Sequence, residues 1–381
     1  MKMDSDFHMA KGEGETSYVK NSTHQKKALI RTKPVIEKAV IDVCMDLLHP
    51  TMTVVDLGCS AGQNTLLFVS NVIEAICCNH DKLRGSLVEL QIFLNDLPGN
   101  DFNHVFQSLG RFKESIAVNH KGETLPSFYI AGLPGSYYTK LFPRQSVHLF
   151  HTSYCLHWRS ELPDGFAAKR EMHLNNGNIY IARTTPPYVV KLYQEHFQKD
   201  MLLFLKLRYE ELVLGGQMVL TFLGRKTEDV YNGDMNQLYG LIAQSLVHLV
   251  DERKINIKLS QQGLLERGKL NSFNLPFYGP SVTEVKMVIN KSGLFDINHV
   301  ELFESNWDPR DNSVSDDVDD PLQSGMNVSK SLRAVLEPLF TSHFGESVLD
   351  TLFNKLAYNV AEHLAREKTK YSIIVMSLKK T

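Results

Sequence analysis

At 381 residues, the chain exceeds the ~100–200 residues of one ordinary domain, which predicts a single α/β core enlarged by an insertion or cap. Hydrophobic residues at 43%, charged residues at 22% and a formal net charge of −2 are ordinary for a globular protein and give no basic footprint for nucleic acid. The five cysteines (Cys44, Cys59, Cys77, Cys78 and Cys155) include no C-x-x-C pair, so they read as reduced thiols of a cytosolic protein rather than disulfides or zinc ligands.

The stretch Met1 to Glu15 is polar, without the apolar segment of a signal peptide. No apolar run reaches the ~18 residues of a membrane span. The expectation is a cytoplasmic protein with no membrane contact. Sequons at Asn21, Asn290 and Asn327 are short enough to arise by chance. The first strand is Thr53–Leu57, a β-branched run ending in the turn Gly58-Cys59-Ser60-Ala61-Gly62, with an apolar-periodic helix following through Ile76. A second strand at Leu90–Asn95 completes a right-handed βαβ unit, and further strands fit Phe128–Ala131, Ser146–His151 and Gln217–Leu223. Before the last of these, Tyr193, Phe197, Met201, Leu205 and Leu212 recur at helical spacing, with Gly215-Gly216 as the stop. The final stretch supplies a strand at Phe295–Phe303, a helical run from about Val328 to Glu367 and a strand at Tyr371–Leu378. Arg159–Gly177 and Thr227–Pro280 interrupt this alternation and read as insertions on one side of the sheet. The run Asp308–Asp320, with its six aspartates, reads as a solvated loop.

In an open parallel sheet, ligands bind beyond the carboxyl ends of the strands near the switch point. Asp56–Gly62 falls there. Its D-x-G-x-x-x-G pattern lacks the G-x-G-x-x-G that lets a backbone approach a pyrophosphate, since Ser60 stands at the middle glycine, and this counts against a NAD-dependent oxidoreductase. An acidic strand end suits a cationic ligand instead. Asp96, in Leu94–Asn100, ends the second strand where α/β nucleotide-binding proteins place the carboxylate that accepts ribose hydroxyls; alone, this stretch reads equally as a turn. Gly132–Tyr138 follows the third strand, and its hydroxyl and aromatic groups suit adenine as well as plain packing.

Together these residues carry a resemblance. The stretches Met9–Tyr18, Val55–Asn64, Phe93–Phe102, Gly132–Tyr138, Ser153–Trp158, Gly177–Tyr180 and Glu367–Lys370, in that order, resemble the plant SABATH family of carboxyl and N-methyltransferases over essentially the full length. The resemblance implies a Rossmann-like class I methyltransferase sheet with helices on both faces and a mostly helical cap over the active site. Residues 1–158 would form the first half of the adenosylmethionine-binding core with an N-terminal lid segment. Residues 159–180 and 227–340 would form the cap insertions, and 181–226 and 341–381 the rest of the core. Lys11, Tyr18, Ser22, Asp56, Asn64, Asp96, Leu97, Ser136 and Tyr137 are implied for S-adenosyl-L-methionine. Gln25, Tyr154, His157, Trp158, Leu238, Tyr239, Tyr278, Leu332, Val335 and Tyr371 are implied for the acceptor. Gln63 departs from the family's proline, which relaxes the helix start. Asn176, Asn271, Phe273 and Asn274 match positions that hold Mg2+ in some members, but Asn271 replaces an aspartate, and a site without carboxylate binds a hard dication poorly. A homodimer is implied by the same analogy.

An aromatic acid is ionised at cytosolic pH and the sulfonium methyl is already activated, so no catalytic acid or base is required. Placement of a carboxylate oxygen ~3–3.5 Å from the methyl can supply on the order of 7–11 kcal/mol. Gln25 and the Trp158 indole are neutral donors that grip a carboxylate without neutralising it, although a tryptophan after an apolar strand also reads as core. By the same resemblance, His157 stands where salicylate-preferring members often carry methionine and the benzoate/salicylate, jasmonate and indole acetate types often carry histidine, so it excludes little by itself. Tyr239 reads either as a wall that shortens the pocket or as a packed helix residue. The expected acceptor is salicylate or benzoate, then anthranilate; jasmonate, indole-3-acetate and a xanthine-type nitrogen acceptor remain as alternatives.

Overall fold

The computed structural model describes residues 7–47, 50–79, 88–163, 174–175, 177–256, 265–313 and 320–381. After one helical turn at Tyr18–Asn21, the elements run α1 (Thr23–Leu47), β1 (Thr51–Leu57), α2 (Gln63–Cys77), β2 (Glu89–Asp96), α3 (Phe102–Asn119), β3 (Phe128–Pro134), β4 (Val147–Ser153), α4 (Pro187–Glu211) and β5 (Leu212–Gly224). Then come α5 (Asp234–Asn256), α6 (Arg267–Ser272), α7 (Val282–Ser292), β6 (Phe295–Asn306), α8 (Pro321–Phe344), α9 (Leu349–Leu364) and β7 (Lys370–Lys380).

The seven strands form one sheet in the order β3-β2-β1-β4-β5-β7-β6. β1 through β5 pair in parallel, and β7 is inserted antiparallel between β5 and β6. The alternation of side chains along a strand explains the layers. Val54, Leu149 and Val219 face a core shared with Phe68 of α2 and Ile36 of α1. Their neighbours Val55, Phe150 and Leu220 face a second core with Phe197 and Phe204 of α4. Helices therefore cover both faces, as expected, and no helix among the described residues is long and apolar enough to cross a membrane.

Several expectations are corrected. Gly215 and Gly216 do not stop α4, which ends at Glu211. Gly215, at φ +78°, sits in a bulge of β5, where the register against β4 jumps from Val147–Leu212 to Leu149–Gln217. The run 328–367 is two helices, because Gly345 at φ +92° breaks it before a 3-10 turn at Glu346–Val348. α1 went unread, having Pro34 in its interior. β6 lies inside the span 227–340 expected as cap yet is an edge strand of the sheet. Of the first insertion, 164–173 and 176 lie outside the described residues. The acidic run is not wholly a solvated loop: Asp308 is buried and accepts from Ser324 Oγ, Asn327 Nδ2 and the Arg310 N–H.

Candidate active site

Three strand ends converge beyond the sheet's carboxyl edge and are tied together by backbone. Gly58 N–H and Cys59 N–H both donate to Asn95 O, and the fully buried Asn95 side chain donates to Leu133 O and Gly135 O. One asparagine thus fixes the loops after β1, β2 and β3. Gly58 has φ +78°, and a Cβ there would fall 2.1 Å from Cys155 Sγ, so the first loop passes the fourth strand's loop too closely for any side chain. Ser60 (φ 52°) and Tyr154 (φ 61°) are also left-handed, which places backbone strain at the mouth of the sheet. The loop after β3 is held from below by the buried Arg208–Glu211 pair, 2.8 Å apart. Arg208 donates to Tyr137 O and Thr139 O, and Glu211 accepts from the Leu141 and Phe142 amides.

Over these loops lies a cavity of about 720 Å³. Of the residues expected for the nucleoside ligand, Tyr18, Asp96, Leu97, Ser136 and Tyr137 line it. Asp56 and Asn64 line a recess that shares Tyr18 and Gly58 with it. Asp96 accepts from Ser60 N–H and Leu97 N–H, each at 2.7 Å, and burial pushes its carboxyl up to about 6. Asp56 is already engaged: Thr65 Oγ donates to one oxygen and His151 Nδ1 lies 2.7 Å from the other. Ser22 stands outside the lining, packed against Gly62 with its carbonyl accepting from Asn64 Nδ2, and Lys11 is exposed and also outside it. Asn100, whose amide donates to Ser60 O, and the arm Phe7–Met9 also line the cavity; Asn100 and Met9 fall within motif stretches without being singled out there, and Phe7 and His8 carry no motif.

A second cavity of about 600 Å³ shares Met9, Tyr18, Tyr154 and Trp158 with the first. Gln25, Tyr154, His157 and Trp158 meet there with Tyr239 of α5, Leu332 and Val335 of α8, and Tyr371 of β7. Leu238 and Tyr278 do not line it. Leu238, next to Tyr239 on α5, is fully buried, and the Tyr278 hydroxyl is spent on Glu284 and Arg225. No charged side chain lines this cavity among the described residues. His157 Nδ1 accepts from Leu223 N–H at 3.1 Å, so the proton of the neutral ring sits on Nε2; burial lowers its pKa to about 3, which keeps it neutral. Gln25 Oε1 and the Tyr154 hydroxyl are buried without partners. Trp158 is held between Phe7 (4.9 Å) and Phe277 (5.7 Å), and Tyr239 leans on Phe277 at 5.1 Å and Tyr180 at 5.4 Å. His24, Met235, Leu223 and Leu336 also line it, having given no signal in sequence because distant segments supply them.

Of the four positions matched to Mg2+, the three that are described offer no carboxylate. Asn176 lies outside the described residues, Asn274 Oδ1 already accepts from Asn175 Nδ2 at 3.1 Å, and Phe273 could offer only its backbone carbonyl. Asn271 adds only another neutral amide, so no carboxylate is offered.

Residues 4–381 match the model of a family described as SAM-dependent carboxyl methyltransferases. Anthranilate O-methyltransferase 1 of Zea mays is 52% identical, over 100% of this chain and 98% of its own. Benzoate O-methyltransferase of Zea mays is also 52% identical, over 100% of both. Among solved structures, a loganic acid methyltransferase with SAH superposes with a TM-score of 0.81 at 31% identity, covering 98% of each chain. The chain belongs to the S-adenosylmethionine-dependent carboxyl methyltransferases, the SABATH family named by its motifs.

Proposed function

We propose that this enzyme transfers the methyl group of S-adenosylmethionine to the carboxylate of a single-ring aromatic acid of the benzoate, salicylate or anthranilate type, giving the methyl ester. The observation that carries the reading is the second cavity: aromatic walls, no charged lining, and Trp158 shared with the cofactor cavity. The names of the anthranilate and benzoate relatives support the acid class.

The chain's own residues supply placement. Gln25, the Trp158 indole N–H and the His157 Nε2–H hold the carboxylate through neutral donors, so the nucleophile keeps its charge. Tyr239, Leu332, Val335 and Tyr371 wall the ring, and Tyr154 stands between the two ligands. On the cofactor side Asp96 accepts the ribose hydroxyls, while Ser136, Tyr137 and Leu97 border the adenosine. Gly58 leaves room for close approach to the backbone, and Tyr18 closes the cavity. Asn64, Ser22 and Lys11 belong to the same proposal. Asp56 acts at one remove, by its charge and by anchoring His151 and Thr65. The bound cofactor supplies an activated methyl, so the lining needs no general base. Five unpaired cysteines support a reducing, cytosolic setting, and the family likeness a homodimer.

Trp158→Ala tests the reading. It is expected to raise KM and lower kcat together for benzoate and anthranilate, by more than it weakens adenosylhomocysteine binding in calorimetry, since Trp158 borders both cavities. An unaltered kcat/KM would remove Trp158 from the clamp.

A further inference from the structure

The second cavity presents two histidines with opposite, fixed roles. His157 offers an N–H, for the reason given above. His24, on the first turn of α1 and only 4% exposed, is the reverse case. Its Nε2 lies 2.7 Å from Trp307 O, and a carbonyl can only accept, so Nε2 carries the proton. Burial lowers the ring's pKa to about 4, so the ring is neutral and Nδ1 holds a bare lone pair. That atom is buried and has no partner. The edge of Tyr371, at 4.8 Å, fixes the ring's plane.

A carboxylate brings acceptors alone. It suits His157, Trp158 and Gln25, and it can do nothing for His24 Nδ1. A buried acceptor left unmatched costs free energy that a donor on the ligand recovers. The Ser331 hydroxyl already has a partner, donating to Asn21 O, and the remaining polar side chains of the lining are less committal: the Tyr18, Tyr154, Tyr239 and Tyr371 hydroxyls serve as donor or acceptor, and the Gln25 amide can turn over. His24 Nδ1 is therefore a ring nitrogen of the described lining whose acceptor role is dictated by the protein and which has no partner to meet it.

We propose that His24 reads a hydrogen-bond donor on the acceptor's ring, so that the enzyme selects an amino- or hydroxy-substituted aromatic acid over the unsubstituted one. This rests on the assignment of the second cavity to an aromatic acid, and it makes His24 a specificity residue, not a catalytic one.

The test uses the full-length wild-type enzyme and matched pairs of acids: 2-, 3- and 4-aminobenzoate against 2-, 3- and 4-methylbenzoate. Each pair has nearly the same size and differs in the donor. At one ring position the amino acid is expected to exceed its methyl partner about tenfold in kcat/KM, the worth of one hydrogen bond. In His24→Phe that ratio falls to near one, while adenosylhomocysteine affinity, whose cavity His24 does not line, changes little. Three equal pairs, or a His24→Phe enzyme that loses activity on every acid alike, would overturn the proposal. If His24→Phe does not fold, the wild-type pairs alone decide. Turnover of benzoate with no amino preference refutes the role of His24 and leaves the aromatic-acid reading standing, whereas adenosylhomocysteine binding with no acid methylated takes down both.

Discussion

Replacing Gly58 by alanine perturbs the site at one methyl group. The left-handed φ of +78° costs an L-residue ~1–2 kcal/mol. The new Cβ would also lie 2.1 Å from Cys155 Sγ, far inside contact distance, and moving that sulfur breaks its approaches to Ser153 O (3.2 Å) and Leu57 O (3.5 Å). Overpacking of this kind adds ~1–3 kcal/mol, so Gly58→Ala should destabilise the protein by about 2–5 kcal/mol and weaken adenosylhomocysteine binding, because Gly58 lines the cofactor cavity. Cys155→Ala removes the sulfur and leaves only a 3.2 Å Cβ approach. Urea unfolding of wild type, the two single variants and the double variant then forms a cycle in which ~1–3 kcal/mol should return in the double variant. If Cys155→Ala restores nothing, the overlap is not the source of the cost. If Gly58→Ala costs under ~1 kcal/mol, the close approach of the two loops is wrong.

Three further outcomes follow from the same geometry. In the proposed role Asp96 accepts from two hydroxyls, which the carboxylate does better than the acid because protonation turns one oxygen into a donor; with its carboxyl raised to about 6, cofactor affinity should fall below that value, by at most about tenfold per pH unit, and level off above it. Asp96→Asn should bind weakly with no such slope, and calorimetry across pH 5 to 8 decides, a flat wild-type profile counting against the role. The same shift has a stability sign: between ~4 and about 6 the empty folded protein holds a proton that the unfolded chain has lost, so this group's contribution declines as pH rises through that window. Tyr239→Gly should raise turnover of indole-3-acetate relative to benzoate, measured as a kcat/KM ratio; an unmoved ratio means Tyr239 does not limit the cavity. Asp308→Ala strands donors on Ser324, Asn327 and Arg310 and should cost at least ~3 kcal/mol in unfolding experiments; a loss under ~1 kcal/mol would show a solvated, dispensable carboxylate.

What the sequence made legible was local. Thr53–Leu57, the turn at Gly58 and the acid at Asp96 all lie within one βαβ unit, whose period and turn residues declare themselves. The first cavity is built mostly from those loops, so most of its lining could be named in advance. The second cavity is different. Gln25, Trp158, Tyr239, Leu332 and Tyr371 come from five separate segments, and only a family resemblance joined them. His24 and Met235 had no such help and were not seen. Local signals also misled where tertiary demands outweighed them: Gly215 looked like a helix stop but serves a strand bulge, and Asp308 looked solvated because its partners, Ser324 and Asn327, lie on the next helix.

The position of β7 has a consequence for how the chain is made. β5 and β6 leave the ribosome well before the strand that separates them, and β7 is buried along nearly its whole length between them. Until it arrives, β6 has no sheet to join, and the outer edge of β5 is an open ladder of amide and carbonyl groups. The nascent protein can assemble its parallel half early, yet Tyr371, which lines the second cavity, arrives after the strands it joins. The second cavity is therefore completed only when β7 docks, and a partner chain's strand that reached the β5 edge first would divert the protein toward swapped or aggregated forms.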